Sequence, residues 1–441
     1  MRTSSRRPSI LAVLLLVALP VACSPTVSPS PSSTGIATAS PSATPAATPS
    51  TPASASASSE PSGNPATDDA TTYRLIEDVV APLRELEPKQ DVDPQLLSEE
   101  ELKERTEQSF SEDNPAELVE ANEVLLRALG MLEEDASLTD LYVELLGSQV
   151  AGFYDPAVDE LYVVARSGGL GVSERITYAH EYTHALQDQH FDLEGFGLDE
   201  IGECDRTLGR LALIEGDATA VMSLWAQEAL SPEELVDLFQ ESLDPESLEI
   251  LERMPPILRE SLTFPYQTGL QFVLGLQRDG GWDAVDAAYA DPPASSEQVM
   301  HPEKYADREA PLDVELPSDL AAEMGDGWAV TYEDTFGEFQ TQVWLRNAID
   351  ATTGNAAAAG WGGDRFAVLQ GPDEAWALAM ATEWDTTTDA TEFESAAVAG
   401  LTGSTGVGQV LPGEGGTVRW VVVGSDDATL ERLAGVLGLA G

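Results

Sequence analysis

The sequence predicts a mixed α+β fold, mostly helical, with a short β hairpin ahead of a central helix and a small α/β module at the C-terminal end. Three observations lead there. Across residues 71–148 apolar residues recur at helical spacing, as at Leu75, Val79 and Leu83 of "TTYRLIEDVVAPLREL". The period then changes: "QVAGFYDPAVDELYVVAR" reads as two strands around a turn at Asp155-Pro156. After His301 to Tyr305, strand-like and helix-like stretches alternate to the end of the chain.

The N-terminus comes first. "MRTSSRRPS" supplies positive charge and "ILAVLLLVALPVA" an apolar run too short for a comfortable membrane span, which predicts an export signal over residues 1–22. "LPVAC" resembles a bacterial lipobox, which implies a lipid on Cys23 and a position at the outer face of the cytoplasmic membrane, with plain secretion as the alternative. Pro20 departs from that pattern, which prefers leucine there. From residue 23 to 70 the chain is largely Ser, Thr, Pro and Ala. Such a composition cannot bury enough apolar surface to offset its ordering entropy, so it reads as a disordered stalk.

The body is expected over residues 71–310. Helices are predicted in "PAELVEANEVLLRALGML" and "SLTDLYVELLGSQ", then the hairpin, then "SERITYAHEYTHALQDQ" with Ser173 as N-cap. A loop rich in Gly, Asp and Glu leads to a second long helix, "CDRTLGRLALIEGDATAVMSLWAQEAL", and more helix follows to about residue 290. The module is expected over residues 311–441. There "AWALAMATEW" and "TVRWVVVGS" read as strands, and "DATEFESAAVAGL" and "DDATLERLAGVLG" as helices.

Composition narrows the function. Hydrophobic residues make up 42%, enough for a substantial core, and 77 acids against 22 bases give a formal charge of -55. That charge repels nucleic acid and anionic membrane surfaces, so membrane contact is expected through the lipid anchor alone. Two cysteines, Cys23 and Cys204, exclude a disulfide framework and a cysteine-rich zinc module. Cys204 is expected to behave as a small hydrophobe.

Three of the four histidines fall within eleven positions, in "HEYTHALQDQH". On a helix, positions i and i+4 share a face, so His180 and His184 can reach one Zn2+ ion. Glu181 projects beside them and can take a proton from a water that the metal acidifies. A catalytic zinc needs a third protein ligand and an open position. Glu215 of "ALIEGDATA" is one candidate, because it lies in a mostly apolar helical stripe with Leu208, Leu211, Ala212, Thr219 and Met222, where an unpartnered carboxylate is costly. The other is His190, six residues after His184. The metzincin peptidases place a ligand there, with a midway glycine to turn the chain, and here that position is Gln187.

His180, Glu181, His184 and the downstream Glu215 resemble the gluzincin zinc metallopeptidases, and "EGDA" resembles the Glu-Gly-x-Ala of their aminopeptidase branch. The likeness covers roughly residues 145–225. It implies a zincin-like core, zinc on His180, His184 and Glu215, Glu181 as general base, and peptide or protein substrates. The 30-residue spacing from His184 to Glu215 is longer than in those branches, and Thr219 stands where several have aspartate. The alternative is a catalytically inactive zinc-binding surface protein that binds peptides or protein partners.

Further candidates surround the motif. The hairpin strands could pair with an extended substrate. An oxyanion donor is sought among Tyr266, His301 and Tyr305, with Tyr266 and His301 preferred. Asp188 and Asp217 are candidates to orient a ligand histidine.

Overall fold

The computed structural model describes residues 65–149, 152–164, 170–198, 200–243 and 245–439. The expected export signal, Cys23 and nearly all of the stalk lie outside the described residues. The fold is α+β. No helix among the described residues is long and apolar enough to cross a membrane.

Helix α1 spans Pro65–Arg84, starting inside the expected stalk. A proline in the first turn has no amide hydrogen to leave unpaired and already holds a helical φ. A three-residue strand, β1 (Gln95–Leu97), interrupts the predicted helical run before α2 (Glu99–Asp113), α3 (Ala116–Ala128) and α4 (Leu138–Gln149). The expected hairpin is β2 (Gly152–Asp155) and β3 (Glu160–Val164), antiparallel to each other. β1 joins the far edge of β3 in parallel, giving the order β1-β3-β2.

The hairpin lies along α5 (Val172–Phe191). Residues alternate across a strand, so Gly152 and Tyr154 face the helix. A Cβ on Gly152 would meet Thr177 at 3.0 Å and Glu181 at 3.6 Å, and the Tyr154 hydroxyl donates to Asp188 Oδ2 at 2.9 Å. The other face carries Phe153 stacked on Tyr162, under the Arg105 guanidinium of α2. The chain enters α5 through Gly171, not Ser173. The Ser173 hydroxyl is drawn off to Glu241 of α7 (Pro232–Glu241), and Arg175 pairs with Glu234 of the same helix.

Helix α6 (Cys204–Ala229) packs against α5 and against α9 (Pro256–Ala290), reached through α7 and α8 (Pro245–Arg253). α6 passes unbroken through Gly216. That glycine is needed for close approach: a Cβ there would lie 2.3 Å from the Gly269 backbone, and one on Gly269 would lie 2.2 Å from the Ala212 carbonyl. α9 bends at Gly281, where φ is 69°. Two short helices follow, α10 (Ser296–Met300) and α11 (Pro302–Asp307).

The C-terminal part holds five strands: β4 (Ala329–Asp334), β5 (Trp361–Gln370), β6 (Trp376–Trp384), β7 (Val407–Pro412) and β8 (Val418–Gly424). They pair in the order β4-β5-β6-β8-β7, antiparallel throughout. The expected α/β module is therefore of the α+β kind: β5–β6 and β7–β8 are hairpins, and the helical connections, including the crossover from β6 to β7, leave every paired neighbour antiparallel. Its helices include α13 (Gly337–Ala348), α15 (Thr387–Gly400) and α16 (Asp427–Val436), with α12 (Leu320–Met324) and α14 (Ala351–Ala358) between strands. One apolar cluster runs continuously from Tyr73 to Val423, so this part shares a core with the helical body.

Buried acids fasten that junction. Asp364 accepts from the amides of Phe336 and Gly337, both at 2.7 Å, and from Trp361 Nε1 at 2.8 Å. Asp205, at the start of α6, accepts from the Ser296 amide at 3.1 Å and from its hydroxyl. Gly337 (φ 78°) meets Asp205 so closely that a Cβ would lie 1.9 Å from its Oδ1. Burial pushes Asp205 up to about 8 and Asp364 up to about 6. An unfolded aspartate releases its proton near 3.8, so the folded chain holds protons that the unfolded chain has lost. Stability therefore falls as pH rises from about 4 through 6 and 8, and acidification restores it. Thermal melts between pH 5.5 and 8.5 are expected to show Tm declining with pH, with a shallower decline in Asp205→Asn. About 1 kcal/mol shifts Tm by roughly 2–4 °C in domains of moderate size, so the difference is measurable. Equal slopes would remove Asp205 as a source.

Candidate metal centre

His180 and His184 occupy one face of α5, a turn apart, and Glu215 reaches them from α6. His180 Nε2 lies 3.1 Å from His184 Nε2, and Glu215 Oε2 lies 3.2 Å from the first and 3.4 Å from the second. Zinc bonds of 2.0–2.1 Å with tetrahedral angles put neighbouring ligand atoms roughly 3.3–3.4 Å apart. The three separations match the edges of that figure, and two imidazoles with a carboxylate are a zinc donor set. The residues fit the ion.

The electrostatics of the three groups are coupled. Burial works to raise Glu215, but His184 and hydrogen bonds from both imidazoles hold it down to about 2. Burial works to lower His184, and Glu215 outweighs it, carrying the imidazole up to about 9. His180 is lowered, because burial exceeds what Glu215 returns.

Glu181 lies beside the donors, under β2, and is fully buried; among the described residues no side chain bonds either carboxylate oxygen, and the Tyr154 amide of β2 is the one group that favours its charged form by hydrogen bonding. Burial pushes it up to about 8. A buried carboxyl without side-chain partners is costly, so its presence calls for a functional explanation. The Tyr266 ring of α9 lies 6.1 Å from the His180 ring, centre to centre, which places this candidate at the site.

The remaining sequence candidates go elsewhere. His190 sits near the exposed end of α5 and donates to the Glu87 carbonyl at 2.8 Å. His301 is bound to Glu338, Nε2 to Oε1 at 3.0 Å. It lines a groove of about 710 Å³ between α9 and α13, with Arg259, Gln267 and Met300 among its neighbours there. The Tyr305 hydroxyl is taken by the Asp291 carbonyl at 2.9 Å. Asp188 receives Tyr154 and the Leu193 amide, tying the hairpin to the end of α5. Cys204 accepts from Gln340 Nε2 at 3.6 Å, and burial pushes its thiol up to about 12, which disfavours the thiolate near neutral pH.

Sequence reasoning missed Gln187 and Arg84. Gln187 lies 2.8 Å from His184 Nδ1 through Oε1, and its Nε2 donates at 3.0 Å to both the Ile214 carbonyl and Asp217 Oδ2. Arg84, wholly buried, donates through Nε to Asp217 Oδ1 at 2.7 Å. The Tyr289 hydroxyl donates to Asp217 Oδ2 at 2.9 Å. Asp217 thus reaches the ligand histidine through Gln187. A signal for Gln187 was available: it is three positions after His184 and seven after His180, on their stripe. Arg84 had none, being 133 residues from its partner.

A second acidic group, Glu297, Glu309 and Asp385, also converges. Lys304 Nζ lies 2.7, 2.7 and 2.8 Å from the three, so an ammonium already stands at the point where they converge.

A family model described as a domain of unknown function (DUF8575) matches residues 324–434, the stretch of the C-terminal sheet, and includes none of the metal-donor residues. No curated protein and no solved structure matches the chain.

Proposed function

We propose that this chain is an exported zinc metallopeptidase with a zincin-like core, hydrolysing peptide bonds in peptides or proteins outside the cytoplasmic membrane. The observation that carries the reading is the spacing of His180, His184 and Glu215 at 3.1 to 3.4 Å, with the buried Glu181 carboxylate, which no side chain among the described residues bonds, beside them.

His180, His184 and Glu215 would hold the ion. Bound zinc supplies Lewis acidity, lowering the pKa of water and polarising a carbonyl. Glu181 takes the proton of the attacking water and delivers it to the departing amine. No side chain among the described residues bonds its carboxylate oxygens, which leaves them available for that proton. Tyr266, whose ring lies 6.1 Å from that of His180, is the candidate hydroxyl donor for developing negative charge. Among the described residues β2 is an edge strand of its sheet and lies along α5, the position from which it could pair with an extended peptide. Export, and attachment through Cys23, rest on the N-terminal sequence.

One observation favours the alternative of a zinc-holding surface protein without turnover: His180, Glu181 and His184 have no exposed surface. A peptidase must open here to admit a chain. Digestion of a peptide library, read by mass spectrometry, separates the two. Cleavage that stops with chelator and returns with zinc is expected, whereas stoichiometric zinc with no cleavage of any peptide favours the alternative.

A further inference from the structure

We infer that Gln187 is a positioning residue that presents the Nε2 lone pair of His184 to the metal, and that Asp217, clamped by Arg84 and Tyr289, keeps the Gln187 amide from turning over. The inference rests on the zinc reading above.

A glutamine side chain has an accepting end and a donating end. The nitrogen end of Gln187 faces two groups that only accept, the Ile214 carbonyl and the Asp217 carboxylate, each at 3.0 Å. The oxygen end must then face His184, 2.8 Å from Nδ1. An oxygen acceptor at that distance requires the proton on Nδ1. With Nδ1 keeping its proton, a ring that gives up its other proton on binding the ion carries its lone pair on Nε2, the atom that meets His180 and Glu215.

Asp217 could not hold this orientation alone, because a buried carboxylate needs its own partners. Arg84 supplies one at 2.7 Å and the Tyr289 hydroxyl another at 2.9 Å. Arg84 is itself fixed by Asp286 at 2.6 Å and by the Trp282 ring, 4.6 Å from the guanidinium carbon. Residues of α1, α5, α6 and α9 thus converge on one imidazole nitrogen.

Two substitutions test this, because they order metal affinity and stability oppositely. Gln187→Met keeps the length and loses all three hydrogen bonds. Gln187→Glu keeps an acceptor for Nδ1 but sets a second carboxylate against Asp217. Zinc affinity is read by chelator competition, the His184 Nδ1 proton by NMR exchange, and folding by thermal melts.

The wild type is expected to show a protected Nδ1 proton. Gln187→Met is expected to lose that protection and to bind zinc ~10–100-fold more weakly, the usual effect of removing such a partner. Gln187→Glu is expected to melt lower than Gln187→Met yet bind zinc more tightly. A purely structural Gln187 would make affinity follow stability, and that result overturns the inference. So does an unchanged proton and affinity in Gln187→Met. Wild-type protein that binds no zinc would instead sink the metal reading, and this inference with it.

Discussion

Glu181→Gln is expected to retain zinc and lose peptide cleavage by ~10²–10⁴-fold, the range that general acid–base catalysis contributes. The substitution is nearly isosteric, so the fit under β2 against Gly152 and Thr177 is preserved. None of the metal donors is altered, because the ring nitrogens and Glu215 Oε2 meet one another without Glu181. What disappears is the ability to accept and return a proton. Zinc content and turnover, measured on the same preparation, separate the roles. Zinc kept with activity lost assigns Glu181 to proton transfer. Full activity in the variant removes it from that role, and joint loss of zinc and activity makes it part of the metal grip.

The sequence made the central helix legible because its chemistry is local. Five residues, His180 to His184, specify a face and a charge pattern without reference to the rest of the chain. Glu215 was legible more indirectly, as a carboxylate in an apolar stripe, and the structure supplies the partners that such a position demands. The hairpin and the C-terminal strands could be read from changes of period.

What was not legible depends on partners distant in sequence. Arg84 reads as an ordinary basic residue at a helix end, and only the packing of α1 against α6 makes it a buried clamp on Asp217. Ser173 has the chemistry of an N-cap, but a carboxylate on α7 competes for its hydroxyl. β1 is three residues long with two of them exposed, too short for periodicity to register. His301 was singled out for its rarity, and rarity does not say that a buried glutamate, Glu338, receives it. The antiparallel order of the C-terminal sheet was hidden because alternating strands and helices occur in both parallel and antiparallel architectures.

The second large effect concerns the third ligand. Glu215→Ala is expected to weaken zinc binding beyond the ~10–100-fold typical of losing a partner outside the ligand set, while His190→Ala leaves it unchanged. Helix geometry decides between them. Six residues at about 100° each carry His190 roughly 240° past His184 around the axis, and no glycine at position 187 breaks the run. His190 accordingly meets the Glu87 carbonyl near the exposed end of α5. Glu215 stands on a neighbouring helix locked at the Gly216–Gly269 crossing, its oxygen within 3.4 Å of both imidazole nitrogens. Removing that carboxylate also leaves His184 without the charge that holds it up to about 9, so Glu215→Gln serves as the control that keeps the volume and discards the charge. Zinc retained after dialysis against chelator is the measurement. Glu215→Ala holding its zinc while His190→Ala releases it would transfer the third ligand to the end of α5 and require that helix to break where it now runs straight.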